Sequence, residues 1–183
     1  MHASSEIPRE RLDALIGRPM SGSGRSVAPD PVNLPMIRHW VAAFDDHNPV
    51  YLDEEAAAAS RHGQIVAPPV MLQTWALPTP MLEGIGERGG APTETEGESA
   101  LSIFDEAGFT GILATGSEFE IERYVHLGEH ITSETVLESI SDEKQTRLGP
   151  GYFVTWVSTY HVGDEVVGRQ RFQVLKFRPG GAS

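Results

Sequence analysis

The sequence contains no cysteine, which excludes disulfides, thiolate metal sites and a cysteine nucleophile. Positive charge is scarce: 14 Lys and Arg stand against 26 Asp and Glu, for a formal net charge of −12. A chain of that charge repels a phosphate backbone, so nucleic acid is not an expected partner. No apolar run reaches the roughly 18–20 residues that cross a bilayer, so no membrane span is expected. The opening MHASSEIPRERLDALIG lacks a basic start followed by an apolar stretch, and no signal peptide is expected. A Gly-x-Ser-x-Gly elbow, a Walker loop and a dinucleotide-binding glycine fingerprint are also missing. These absences predict a soluble cytoplasmic protein.

What is present suits one domain over residues 1–183, at 39% hydrophobic and 22% charged residues. Residues 84–99, GIGERGGAPTETEGES, mix glycine with glutamate and read as a surface loop inserted between two packed segments. Ahead of it the pattern is helical. Residues 9–16 give a short helix. Asn33 caps a second, with Pro35 in its first turn and Met36, Trp40, Val41 and Phe44 on one side. Residues 53–60, DEEAAAAS, read as a third. Residues 69–77, PVMLQTWAL, read as a fourth, apolar almost all round and hence buried. Beyond the loop the period becomes two, over 118–125, 132–140, 152–161 and 166–177. A buried helix followed by three long adjacent strands predicts an α+β fold, an antiparallel sheet wrapped around a central helix. Such a sheet leaves an edge open, so an oligomer is expected.

The most informative stretch is FDDHNPVYLDEEAAAASRHGQIVAPPVM, residues 44–71. It resembles the Asp-x-Asn-Pro-aliphatic-His motif of the MaoC-like, hydratase-2 type hot-dog dehydratases, with Asp46, Asn48, Pro49 and Val50 in register. The order of the segments that follow matches the same family over residues 10–178. The resemblance implies a single MaoC-like hot-dog domain and reversible addition of water across a 2,3-unsaturated acyl thioester. In that chemistry a carboxylate and an imidazole flank one water, as base and acid, and a backbone N–H at the head of the central helix holds the thioester oxygen. It implies no cofactor, coenzyme A thioester being the substrate. Asp46 becomes the candidate catalytic carboxylate. Asn48, Tyr51, Val66, Ala67, Pro68, Met71 and Trp75 become candidate substrate-binding residues.

Two departures stand out. Tyr51 occupies the family's histidine position, and a phenol titrates near pH 10. Pro68 and Pro69 stand where the family often has a glycine, and proline offers no N–H; Val70 has the first amide beyond them. The phrases IVAPPVMLQTWALP, ATGSEFEIERYVHLGE, DEKQTRLGPGYFVTW and VLKFRP further resemble the N-terminal MaoC domain of the larger subunit of actinobacterial steroid side-chain enoyl-CoA hydratases. That resemblance implies a heteromer. A small hot-dog partner carries the Asp/His dyad, and this chain shapes room for a bulky, steroid-like acyl-CoA. In that group a further C-terminal domain engages a thiolase-like aldolase; this chain ends at FRPGGAS, so that domain is expected to be missing. Two alternatives stay open: a self-sufficient hydratase or acyl-carrier dehydratase using Asp46, alone or with His47, and a non-catalytic hot-dog scaffold.

Plainer readings compete residue by residue. Asp46 and Asn48 also make good turn chemistry. Tyr51, Met71, Trp75 and Leu77 also serve packing. Lys144 and Arg147 form a small basic island, read as a solvated hairpin turn before a nucleotide-phosphate contact. His39, His47 and His62 lie on separate elements, and Gly128 interrupts the His126–His130 pair, so no metal site is expected.

Overall fold

The computed structural model describes residues 7–20, 25–77 and 100–179. The inserted loop expected at 84–99 lies outside the described residues.

Among the described residues five helices and six strands follow in order: α1 (Arg9–Asp13), β1 (Ser26–Val27), α2 (Leu34–Phe44), α3 (Glu54–Ala59), α4 (Leu72–Ala76), α5 (Ala100–Glu106), β2 (Gly111–Ile121), β3 (Ile131–Ile140), β4 (Lys144–Thr146), β5 (Gly149–Val162) and β6 (Glu165–Phe177). The strands form one sheet in the order β1-β3-β5-β6-β2, all antiparallel, with β4 a hairpin on β5. The expected meander is therefore β3-β5-β6. Bulges interrupt β2 after Ala114, β3 after Leu137 and β6 at Val167, and each bends and twists its strand.

Alternate residues of β5 face the helices. Near one end of the sheet Tyr160 and Val162, with Ile131 and Val167, pack against Ile37 and Val41 of α2, Ala57 of α3, and Met71, Leu72 and Trp75. Near the other end Tyr152, Val154 and Trp156, with Leu137, Ile140 and Val174, pack against Leu12 of α1 and Ile103 and Phe104 of α5. Leu72 and Trp75, 1% and 5% exposed, each contribute about 2–3 kcal/mol by leaving water. Gly168 on β6 is what lets α4 lie so close. A Cβ there would sit 2.7 Å from Leu72 Cδ1 and 2.9 Å from the Glu120 carbonyl oxygen. This is the α+β arrangement expected, with a helix held against an antiparallel sheet.

Several elements differ from the pattern-based expectation. The first helix stops at Asp13, and residues 14–17 turn. Asn33 does cap α2, accepting from the Met36 amide at 3.1 Å. The helix, however, buries Ile37 and Val41 with Trp40 half-buried, while Met36 and Phe44 are 41% and 67% exposed. Trp40 stacks on Phe44 instead, with ring centroids 4.6 Å apart. The segment at 69–77 begins as a 3₁₀ turn (Pro69–Met71) before α4, and Val70 and Leu77 are exposed. It is one-sided rather than apolar all round. The strand expected at 118–125 is the end of a longer one, Gly111–Ile121, and the chain turns off the sheet at Glu122. α5 has no counterpart in the pattern reading.

Candidate functional site

α2 ends on Asp45, which takes the left-handed conformation at φ 53°. Asp and Asn tolerate that region better than most residues. The turn reverses the chain into Asp46–Tyr51. The Asp46 Oδ1 accepts the Asn48 amide at 3.0 Å, and the Asn48 Oδ1 accepts the Val50 amide at 3.3 Å, capping the 3₁₀ turn Pro49–Tyr51. Both side chains thus do the turn work that their types allow. Asp53 then caps α3 through the Glu55 and Ala56 amides.

The rungs of this structure place Tyr51 inside. It is 5% exposed, in the same apolar cluster as Val66, Ala67, Met71 and Trp75. Three segments are laced together here. The Val66 amide donates to the Val50 carbonyl at 3.4 Å, the Ala67 amide to Val125 at 2.8 Å, and the Leu127 amide to Ile65 at 3.2 Å. The candidate residues Asp46, Asn48, Tyr51, Val66, Ala67, Pro68, Met71 and Trp75 thus come from two separated stretches, 46–51 and 66–75, into one neighbourhood.

The turn off β2 supplies the residues that sequence reasoning missed. Arg123 donates to both carboxylate oxygens of Glu129, at 2.9 and 3.0 Å, and to Glu165. Glu129 also accepts the His126 amide at 2.7 Å. So clamped, residues 122–127 carry Tyr124 to the Tyr51 phenol. The His62 ring stacks on Tyr124 with centroids 4.8 Å apart, and the Arg61 guanidinium lies 5.9 Å over the same ring. Nothing in the spacing of Arg61, His62 and Tyr124 announces this meeting; it depends on the turn at Glu122.

The electrostatics separate two roles that one carboxylate and one phenol could play. Burial pushes the Tyr51 phenol above its ordinary value; Tyr124 and Asp46 push the same way, and the Asn48 side chain offsets part of it. Tyr51 is therefore a neutral hydroxyl at physiological pH. It offers a hydrogen bond but no base. His47 does not replace it. Its Nε2 pairs with Asp45 at 3.0 Å, both side chains being exposed.

At the head of α4 the turn uses the Met71 amide on the Pro68 carbonyl and the Leu72 amide on Pro69. The Val70 amide precedes both, on a residue 46% exposed. Deeper in, the Trp75 indole N–H is buried with no hydrogen-bond partner. An orphan donor in an apolar interior costs about 1–3 kcal/mol, which a bound acceptor would recover.

His62 and His126 lie near each other, but the histidines build no metal-ligand set among the described residues. His126 contacts Glu129 at 3.5 Å, and His130 Nε2 meets the Ala28 carbonyl at 2.7 Å. Among the described residues no group of three His, Asp or Glu side chains could hold a metal. Lys144 lies 5.9 Å over the Phe153 ring on the β4 hairpin, at the other end of the sheet. Among the described residues no helix is long and apolar enough to cross a membrane.

Comparison with known proteins agrees with this architecture. Over 178 residues the chain is 44% identical to a probable enoyl-CoA hydratase alpha subunit of Thermomonospora curvata, covering 96% of this chain and 54% of that one. It is 39% identical over 156 residues to the 3-oxo-4,17-pregnadiene-20-carboxyl-CoA hydratase alpha subunit of Mycobacterium tuberculosis, covering 85% and 48%. The chain thus spans about half the length of the curated relatives it matches. Against the crystal structure of the ChsH1-ChsH2 complex from Mycobacterium tuberculosis the TM-score is 0.79 at 35% identity, covering 95% of this chain and 93% of that one. Residues 19–170 match the profile of the FAS1-like dehydratase domain region, and the chain, as its resemblance to the MaoC-like hot-dog dehydratases implied, belongs to that dehydratase family.

Proposed function

We propose that this chain is the substrate-shaping subunit of a heteromeric enoyl-CoA hydratase acting on a bulky, steroid side-chain 2,3-unsaturated acyl-CoA. A small hot-dog partner supplies the Asp/His dyad. The observation that carries this reading is Tyr51: a buried, neutral phenol stands beside Asp46 where the chemistry calls for an imidazole. Asp46 is meanwhile bonded to the Asn48 amide. An unpaired carboxylate without its acid partner is a poor hydration catalyst, because the α-carbon still has to receive a proton.

In this reading Asn48, Tyr51, Val66, Ala67, Pro68, Met71 and Trp75 border the acyl thioester, and Tyr51 and the Trp75 indole offer it neutral hydrogen-bond donors. Coenzyme A arrives as part of the substrate and no cofactor is required. The alpha-subunit names of the relatives and the ChsH1-ChsH2 likeness support a heteromer. The open edge of β2 supports pairing with another sheet.

The test is reconstitution. The purified chain is assayed for hydration of a steroid-type enoyl-CoA, alone and with a small dyad-bearing hot-dog protein. The expected result is turnover only in the mixture. Turnover by the lone chain that is lost in Asp46→Asn would favour a self-sufficient dehydratase. Binding of the partner with no change in the partner's own rate would leave only a scaffold.

A further inference from the structure

We propose that Arg61, with His62 and Tyr124, forms the seat for a phosphate group of the coenzyme A portion of the substrate. This rests on the thioester reading above and names the part of this chain that holds the substrate's charged end.

The starting point is charge. Coenzyme A is polyanionic, whereas this chain carries −12. Its cations must therefore be focused somewhere if it is to hold such a ligand at all. Several are already spent on carboxylates. Arg9 pairs with Asp13, Arg123 with Glu129 and Glu165, Arg169 with Glu120 and Glu122, Arg171 with Glu138, and Lys176 with Asp105. Arg61 has no carboxylate partner among the described residues, and it is the cation that lies over Tyr124, next to Tyr51.

Its backbone is held in a built turn. The Ser60 hydroxyl donates to the Ala57 carbonyl at 2.7 Å and accepts the His62 amide at 3.0 Å. Gly63, at φ +72°, closes it with its amide on the Ser60 carbonyl. That turn is what lays His62 flat on Tyr124. The nearby acids are occupied: Glu129 by Arg123, and Asp46 by the Asn48 amide. Burial holds His62 below its ordinary value, and Arg61 and His126 push it further down. The Arg61 guanidinium therefore lies over Tyr124 beside an imidazole held toward its neutral form, with no carboxylate paired to it among the described residues. A guanidinium is suited to a phosphate because its fork of N–H donors matches two phosphate oxygens. The other basic pair, Lys144 and Arg147, belongs to the β4 hairpin, away from this cluster.

The experiment is calorimetric titration of the purified chain at low salt with crotonyl-CoA, crotonyl-dephospho-CoA and the N-acetylcysteamine thioester of crotonate, which has the acyl thioester but no phosphate. Arg61→Gln is expected to weaken crotonyl-CoA binding about ten- to a hundredfold. Arg61→Lys is expected to retain part of it, and Arg147→Gln all of it. The N-acetylcysteamine thioester is expected to bind wild type and Arg61→Gln alike. The dephospho ligand tells the 3′-phosphate from the pyrophosphate: loss of the Arg61 effect with it assigns the seat to the former, and retention to the latter. Unchanged crotonyl-CoA affinity in Arg61→Gln, or equal weakening of both thioesters, overturns the seat while leaving the thioester reading in place. Failure of wild type, alone and mixed with the dyad-bearing partner, to bind either thioester overturns both.

Discussion

Arg123 grips Glu129 with two nitrogens at 2.9 and 3.0 Å, and that grip holds the turn that brings Tyr124 to Tyr51. Both side chains are mostly shielded, at 26% and 21% exposure. Burial alone would raise the Glu129 carboxyl, but the Arg123 guanidinium and the His126 amide more than offset it and hold it below the usual range. A carboxyl lowered in the folded state stabilises the fold above its unfolded value, near pH 4.3, and loses that contribution as pH falls through the folded value. Arg123→Met is therefore expected to cost about 2–3 kcal/mol at pH 7. The cost should shrink as pH falls through the folded value and Glu129 takes up its proton. Urea denaturation at pH 7, 5 and 3 checks this; a cost independent of pH would place the effect in packing rather than charge.

Asp46→Asn separates the turn from the chemistry. An amide oxygen can still accept the Asn48 N–H, so stability is expected to stay within about 0.5 kcal/mol, whereas Asp46→Ala gives up the bond and about 1 kcal/mol. In the reconstituted complex Asp46→Asn is expected to keep the rate within about threefold, because the reacting carboxylate belongs to the partner. A drop of a hundredfold, about 2.7 kcal/mol in barrier, would put Asp46 into the chemistry.

Trp75 offers a test with two separable readouts, stability and affinity. Trp75→Phe removes a buried donor that has no partner and also removes indole volume. In the free chain these partly cancel, and the net change is expected to stay within about 1–2 kcal/mol. If the indole N–H meets the bound thioester, affinity for the N-acetylcysteamine crotonyl thioester falls by about five- to tenfold. An affinity that follows stability alone would make Trp75 a packing residue.

The free side of β2 predicts where a partner sheet adds. Ile112 and Leu113 are 54% and 48% exposed on a strand that, among the described residues, pairs with β6 alone. Exposed apolar residues on an unpaired edge invite strand addition. The double substitution Ile112→Lys with Leu113→Lys is expected to leave the melting temperature of the lone chain within a few degrees and to abolish co-elution with the dyad-bearing partner in size-exclusion chromatography. Intact co-elution would move the interface to another surface.

Local chemistry determined a good deal of this protein by itself. Asn33 before Leu34-Pro35, Asp53 before a run of alanines, and Asp46-His47-Asn48-Pro49 each specify a cap or turn through bonds that close within a few residues, and all of them form as read. The period-two pattern of β3, β5 and β6 likewise follows from facing one packed layer. The buried face of α2 was not legible. Met36, Trp40 and Phe44 are as apolar as Ile37 and Val41, and only the position of the sheet decides which side leaves water. Nor was the length of β2, because a strand exposed along most of its course shows no alternation. The meeting of Tyr51, Tyr124, His62 and Arg61 was decided by tertiary structure alone. Their chain separations are too long for any local rule, and they come together because Arg123 closes an ion pair that ends the strand and turns the next residues inward.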